Sequence, residues 1–287
     1  MMPDPEKDSP TLMRAASLLR NIAKAAPRHP VVSLICATVI TSGFFLLFPG
    51  VDLWVSGLFF DPASGSFPAA SNEVLKRLRS LGPYLVWLIA LGSVLILVVK
   101  VIWPEQPPLV PLGKPLFLLI TLALGPGLLA NGILKAHSGR PRPRNVDVFG
   151  GDLPYVDVWR FTDHCKSNCS FVSGEGSSGA WLLALALVLP LAWRKPALWA
   201  TATIGVLVSV NRVAFGGHFL SDTVLAWTLN GLLIALFYHL FFIWQPAWVT
   251  PSSLDAAFSR IGFSLQDRFA YLDARVRRFK RAHKKTE

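Results

Sequence analysis

Three short polar segments carry the residues whose types and spacing can do chemistry. The first is Arg212-Val-Ala-Phe-Gly-Gly-His218-Phe-Leu-Ser-Asp222, set between two long apolar runs. Arg212 is a permanently charged fork donor suited to phosphate oxygens. His218 can act as acid, base or nucleophile near neutral pH. Asp222 follows four residues later, so a helix beginning at His218 would put both on one face. The carboxylate could then hold one ring N–H and leave the other nitrogen bare for attack. Gly216-Gly217 supplies a bend that returns Arg212 to His218. Taken alone, a polar loop with an incidental histidine is the simpler reading.

Two more segments change that balance. Lys135-Ala-His137-Ser-Gly-Arg140-Pro-Arg142-Pro143 gathers phosphate-compatible donors, stiffened by two prolines. Cys169-Ser170-Phe-Val-Ser173-Gly174-Glu175 runs into an apolar stretch. Ser173-Gly174 at a helix start offers a hydroxyl and free backbone N–H groups to an anion, although a plain helix cap would use the same residues.

The elements that must position these segments are membrane spans. Of the 287 residues, 52% are hydrophobic and 16% charged, and the mean hydropathy is +0.46. That is the composition of a membrane protein. A net charge of +11 in a soluble chain would point to nucleic acid. Here it clusters at the termini and in one central loop, so the partner it indicates is the lipid bilayer and not nucleic acid. Apolar runs at about 31–48, 84–103, 116–134, 176–193, 198–215 and 222–244 predict an all-α integral membrane protein, a six-transmembrane-helix bundle. The polar lead before the first run lacks a small-residue cleavage pattern, so that run reads as an uncleaved span. Residues 49–83 read as a loop, and Leu191–Leu198 as a tight connection.

The expected organisation is a basic cytoplasmic segment over 1–30, a six-helix domain over 31–245, and a C-terminal amphipathic helix over 252–287. Eighteen of the 28 Lys and Arg fall on one side if the N-terminus is inside. The positive-inside rule therefore predicts both termini in the cytoplasm and all three polar segments outside. The loop over 135–175 alone holds six basic residues outside, an exception that calls for a specific cause. In the tail, Leu254, Phe258, Ile261, Leu265, Phe269, Leu272, Val276 and Phe279 recur at steps of three and four. Basic residues from Arg275 to Lys285 crowd its end. Such a helix either lies on an anionic leaflet or packs on the bundle or a second copy. Cys36 reads as a small buried hydrophobe. Cys165 and Cys169 share a polar loop, either as free thiols or as a local disulfide.

With these residues in view, the chain resembles the type 2 phosphatidic acid phosphatase superfamily of membrane lipid phosphatases. That family's signature is K-x6-R-P, then P-S-G-H, then S-R-x5-H-x3-D. Lys135 to Arg142-Pro143 matches the first part in full. Arg212, His218 and Asp222 match the third, with Asn211 in place of the serine. Val172-Ser173-Gly174-Glu175 stands at the second, so its proline and histidine are replaced. The resemblance covers roughly 116–240, and the Ser-Gly-Glu variant is most similar to bacterial phosphatases acting on lipid A. It implies an inner-membrane enzyme with a periplasmic site that removes phosphate from a lipid without metal or cofactor. His218 would form a phosphohistidine and Asp222 would orient it. Lys135, Arg142 and Arg212 would hold the phosphoryl oxygens, with Ser173 and Gly174. Glu175 would stand where the family's proton donor stands, with His137 and His164 as fallback acids. Undecaprenyl pyrophosphate or a phosphatidate-like lipid is the alternative substrate. A non-catalytic lipid binder or transporter is the rival class, against which the scarcity of charges inside the spans argues. The oligomeric state is not legible.

Overall fold

The computed structural model describes residues 29–283, which are helical with loops and contain no strand. The basic segment expected over 1–30 therefore lies almost wholly outside the described residues, as do Lys284 and Lys285. The helices are α1 (Pro30–Leu47), α2 (Gly50–Gly57), α3 (Glu73–Ile102), α4 (Gly113–His137), α5 (Gly174–Val188), α6 (Leu191–Ala214), α7 (Leu220–Trp244) and α8 (Pro251–His283). Five of them, α1, α3, α4, α6 and α7, are long and apolar enough to cross a membrane. Their outer faces expose large apolar side chains, among them Val39, Ile40, Leu88, Leu91 and Val210. Lipid is the solvent that tolerates such a surface, and every backbone group within a helix is already paired. The chain is a multi-pass membrane protein.

The fourth predicted span is the short one. At 15 residues, α5 rises about 22 Å, less than the ~30 Å of a hydrocarbon core. It is also the most enclosed helix, with Ala180, Trp181, Leu182, Ala184 and Ala186 all buried among α3, α4, α6 and α7. Trp181 Nε1 donates to the Leu118 carbonyl at 3.2 Å and to Thr121 Oγ1 at 3.0 Å, locking α5 to α4. Against α6 it packs backbone to backbone: a Cβ on Gly179 would stand 3.0 Å from Gly205 Cα. Small residues at one level let two helices approach this closely.

Several expectations are corrected. The stretch 49–83 is not a plain loop, because α2 occupies Gly50–Gly57 and α3 starts at Glu73. Asn72 caps α3, accepting from Val74 N at 3.0 Å and Leu75 N at 3.1 Å. Pro83 lies inside this 30-residue helix without ending it. The helix is about 45 Å long, so Lys76, Arg77 and Arg79 ride on turns beyond the apolar zone. The Leu191–Leu198 connection is likewise helical: α6 begins at Leu191, directly after Leu189-Pro190, and carries Arg194 and Lys195. Cys36 is exposed on α1 and is not a buried side chain. The tail is helical as expected, and its first half is docked. Asp255 meets the buried Lys100 at 2.7 Å, and Ser259 Oγ donates to the Pro104 carbonyl at 3.0 Å. Further along, Phe269 and Leu272 are exposed. The side chains of Val276, Arg278, Phe279, Lys280 and Arg281 lie outside the described set.

The Gly179–Gly205 crossing is the tightest test of this packing. Gly179→Val should destabilise the protein by about 1–3 kcal/mol, as overpacking does. The check is a lower thermal midpoint in detergent, with Gly179→Ala affected less.

Candidate active site

Five helix ends meet on one side of the bundle: the starts of α3, α5 and α7 and the ends of α4 and α6. The 138–173 loop covers them. After α6 stops at Ala214, Gly216 takes φ +59°, a left-handed conformation that glycine adopts without strain. A Cβ at Gly217 would lie 2.5 Å from Arg212 Nη2. The glycine pair therefore folds the chain back on Arg212, as its sequence predicts, and both Arg212 and His218 are buried.

The histidine is held differently from the expectation. His218 Nδ1 is 2.7 Å from the Ser170 carbonyl, which takes its proton, while Asp222 Oδ2 is 3.8 Å away. That is too long for a hydrogen bond. The reason is local: α7 begins at Leu220, so His218 precedes the helix and does not share a face with Asp222. Asp222 Oδ2 instead accepts from Phe219 N at 2.8 Å and Ser170 Oγ at 2.5 Å. Serine 170 thus fixes the imidazole through its carbonyl and the carboxylate through its hydroxyl. His218 Nε2 is left bare, with no hydrogen-bond partner among the described residues, and it faces Glu175 Oε2 at 3.7 Å.

Behind Asp222 lies a group that the sequence placed among the phosphate donors. Arg140 is fully buried and donates Nη1 to Asp222 Oδ1 at 2.6 Å and Nη2 to Asp52 Oδ2 at 2.8 Å. Its Nε reaches the Val156 carbonyl at 2.7 Å, and its guanidinium sits 4.5 Å from the Phe219 ring centroid. Asp52 on α2 also accepts from Ser221 N at 2.9 Å and from Ser221 Oγ. Burial opposes both charges. It pushes the Asp52 carboxyl up despite Arg140 and Ser221, whereas Asp222 and Asp52 together hold the Arg140 guanidinium above its ordinary value. Arg140 is therefore a tie between α2, the central loop and α7, not a substrate ligand.

Glu175, which faces His218, also lines a cavity of about 310 Å³ together with Lys135, Arg142, Gly174, Asn131, Asn168 and Arg79. Glu175 Oε1 lies 3.3 Å from both Arg212 Nε and Arg79 Nη2. One carboxylate therefore faces four cations. Arg142 is braced by Asn168, which accepts through its carbonyl at 2.8 Å and Oδ1 at 2.7 Å. Burial and the neighbouring Arg144 push the Arg142 guanidinium below its ordinary value, a strain that a bound anion would relieve. Ser173 is the N-cap of α5: its Oγ accepts from Gly176 N at 3.0 Å, which is the plain cap reading of that residue. Gly174 opens the helix against Asn131 and leaves no room for a side chain. Cys165 and Cys169 are joined in a disulfide that closes the loop carrying Asn168. His137 and His164 are exposed and do not line the cavity.

Four contributors escaped the sequence reading. Asp52 lay in the stretch 49–83 read as a loop, and no signal there marked it as buried. Arg79 lay in the stretch read as loop. Ser170 and Asn168 act largely through backbone carbonyls, which residue type does not reveal.

Removing Asp52 leaves Arg140 paired with Asp222 but takes the acceptor from Arg140 Nη2 and from Ser221 N and Oγ. Asp52→Ala should therefore cost about 1–3 kcal/mol, the scale of buried donors left unsatisfied, and lower the thermal midpoint in detergent. Glu73→Ala, which removes the exposed 2.8 Å pair with Lys76, should cost no more than about 1 kcal/mol.

Comparison with known proteins identifies the family. The family described as the PAP2 superfamily matches residues 114–246. A Lipid A 4'-phosphatase of Rhizobium leguminosarum is 36% identical over 206 residues, spanning 66% of this chain and 86% of its own length. A Lipid A 4'-phosphatase of Francisella tularensis subsp. novicida is 32% identical over 189 residues, spanning 63% and 82%. Among solved structures, a transmembrane PAP2 type phosphatidylglycerolphosphate phosphatase from Bacillus subtilis aligns over 73% of this chain and 94% of its own, with 23% identity and a TM-score of 0.47. The chain belongs to the PAP2 superfamily and is a membrane lipid phosphatase, a phosphoric monoester hydrolase.

Proposed function

We propose that the protein removes a phosphate monoester from a lipid A-type glycolipid at the periplasmic face of the bacterial inner membrane, through a phosphohistidine. The observation that carries this is the bare His218 Nε2 facing Glu175, a carboxylate that pairs with Arg212 and Arg79 and lines a cavity with Lys135 and Arg142. Phosphoryl transfer is mostly positioning and charge stabilisation, which this arrangement supplies. The relatives' shared name supports the glycolipid and its 4′ phosphate as substrate. The disulfide in the loop and the basic residues crowding the opposite side support a periplasmic site.

On this reading the substrate phosphate takes the place that Glu175 holds among the cations. Arg212, Lys135 and Arg142 bind its non-bridging oxygens, with the first-turn N–H groups of α5 at Gly174. His218 Nε2 attacks phosphorus in line, and the bond from phosphorus to the lipid oxygen breaks. Displaced from Arg212 and next to the phosphate charge, the Glu175 carboxyl takes up a proton and gives it to the leaving oxygen. Water then attacks the phosphohistidine, loses its proton to Glu175 and releases phosphate. Asp222 acts at one remove, holding Ser170 and so the ring, and its charge stabilises the imidazole as it becomes cationic. The resting position of Ser173 assigns its hydroxyl to the helix cap.

The direct test is phosphate release by purified protein from a lipid A-type glycolipid phosphate, a phosphatidate and undecaprenyl pyrophosphate. The glycolipid should be turned over fastest, His218→Ala should abolish turnover, and Asp222→Asn should cut it severely. Full activity in His218→Ala would exclude the mechanism.

Glu175 can be isolated by the leaving group. A sugar alkoxide needs a proton to depart, and an aryl oxide needs it far less. Glu175→Gln should lose on the order of 10²–10⁴-fold on the glycolipid, the range of general acid catalysis. The loss on p-nitrophenyl phosphate should be much smaller. Equal losses on both would make Glu175 a positioning residue only.

A further inference from the structure

The first turns of α3 were not part of any motif, yet they form one wall of the catalytic cavity. Arg79, Gly82 and Pro83 line it together with Lys135, Arg142 and Glu175. A second and larger cavity, about 550 Å³, continues along the same helix. It is lined by Lys76, Arg79, Ser80, Pro83, Tyr84, Trp87 and Glu175, so Arg79, Pro83 and Glu175 belong to both spaces. The residues recur at steps of three and four, which places them on one face of α3.

That face is graded. Lys76 and Arg79 stand at the outer end and are half-exposed. Trp87 lies eleven residues further in, about 16 Å along the axis, and Tyr84 stands between. Both rings are largely open, at 73% and 72% exposed. Aromatic residues are common where membranes meet water. What separates these two is that they share a continuous groove with Glu175, the carboxylate facing the candidate nucleophile. A soluble phosphate ester would not need cations followed by aromatics leading away from the reacting centre toward lipid. An amphiphile would, because its charged head and apolar chain meet those surfaces in that order.

We propose that this face of α3 is the recognition site for the non-reacting part of the lipid substrate. Lys76 and Arg79 hold an anionic group of the head group, and Tyr84 and Trp87 receive its first acyl chain. Charge complementarity and the apolar gradient identify the occupant, and the inference rests on the lipid-phosphatase reading above. Arg79 links the two spaces. In the resting protein it pairs with Glu175, and the arriving head group competes for it as the phosphate displaces Glu175 from Arg212. Binding energy gathered away from the reacting bond is thereby available to the chemical step.

The test compares two substrates in neutral detergent micelles: a lipid A-type glycolipid phosphate, and p-nitrophenyl phosphate, which has neither acyl chain nor second anionic group. Trp87→Ala and Lys76→Glu should each lower kcat/KM for the glycolipid about tenfold more than for the aryl phosphate, the scale of one lost pocket or charged contact. Turnover of the aryl phosphate also reports that each variant is folded. Equal effects on the two substrates, or no effect on the glycolipid, would overturn the assignment of this face while leaving the phosphatase reading intact. Wild-type protein that hydrolyses the aryl phosphate but no lipid phosphate would overturn the lipid reading and this inference with it.

Discussion

The site depends on one buried cation shared by two carboxylates. Arg140 is fully enclosed, with Asp52 on α2 at 2.8 Å and Asp222 on α7 at 2.6 Å. A charge inside a low-dielectric interior persists only if it is paired and its donors are met, and Arg140 meets that demand with side chains from three separate parts of the chain. Because Asp222 is pinned from behind, its other oxygen is free to accept from Ser170 and from the start of α7. Because Ser170 is pinned, its carbonyl is in place for the His218 ring. The orientation of His218 Nε2, the proposed nucleophile, thus follows from a fully buried ion pair behind Asp222.

The front of the site follows the opposite logic. There, among the described residues, the positive charges exceed the negative, since one carboxylate, Glu175, faces Arg79, Lys135, Arg142 and Arg212. Such an arrangement repels itself and draws an anion into a partly dehydrated cavity. A fully paired network behind and an excess of cations in front let one small space be both rigid and strongly attractive to phosphate. The replacement of the family's histidine by Glu175 fits this division. A carboxylate can serve as the resting counter-ion of the arginines, a role that a neutral imidazole cannot fill.

Much of this was legible in the sequence, and the reasons for the rest are physical. The Lys135, Arg142, Arg212, His218 and Asp222 pattern could be read because chemistry fixes residue type and span ends fix position. Helix α3 was read short because Lys76, Arg79 and Pro83 look like loop composition to any hydropathy argument, although a helix may project past the bilayer carrying them. Arg140 stood unassigned within a segment of phosphate-compatible donors, because composition cannot separate a cation that faces substrate from one that faces buried acids. The contact between His218 and the Ser170 carbonyl was invisible, since every residue has a carbonyl and only the loop's path brings this one to the ring. The disulfide between Cys165 and Cys169 remained open in the sequence for the same reason: it depends on how a loop closes.

The central claim is that His218 Nε2 becomes covalently bonded to phosphorus. Its most direct measurement is peptide mass spectrometry of protein mixed briefly with a lipid A-type glycolipid phosphate and quenched in alkali, where phosphohistidine survives. The account predicts a single phosphate added to the peptide containing His218, appearing before free phosphate reaches its steady rate and decaying when substrate is exhausted. Steady phosphate release with no modified His218 peptide, in protein sampled within the first turnover, would contradict it.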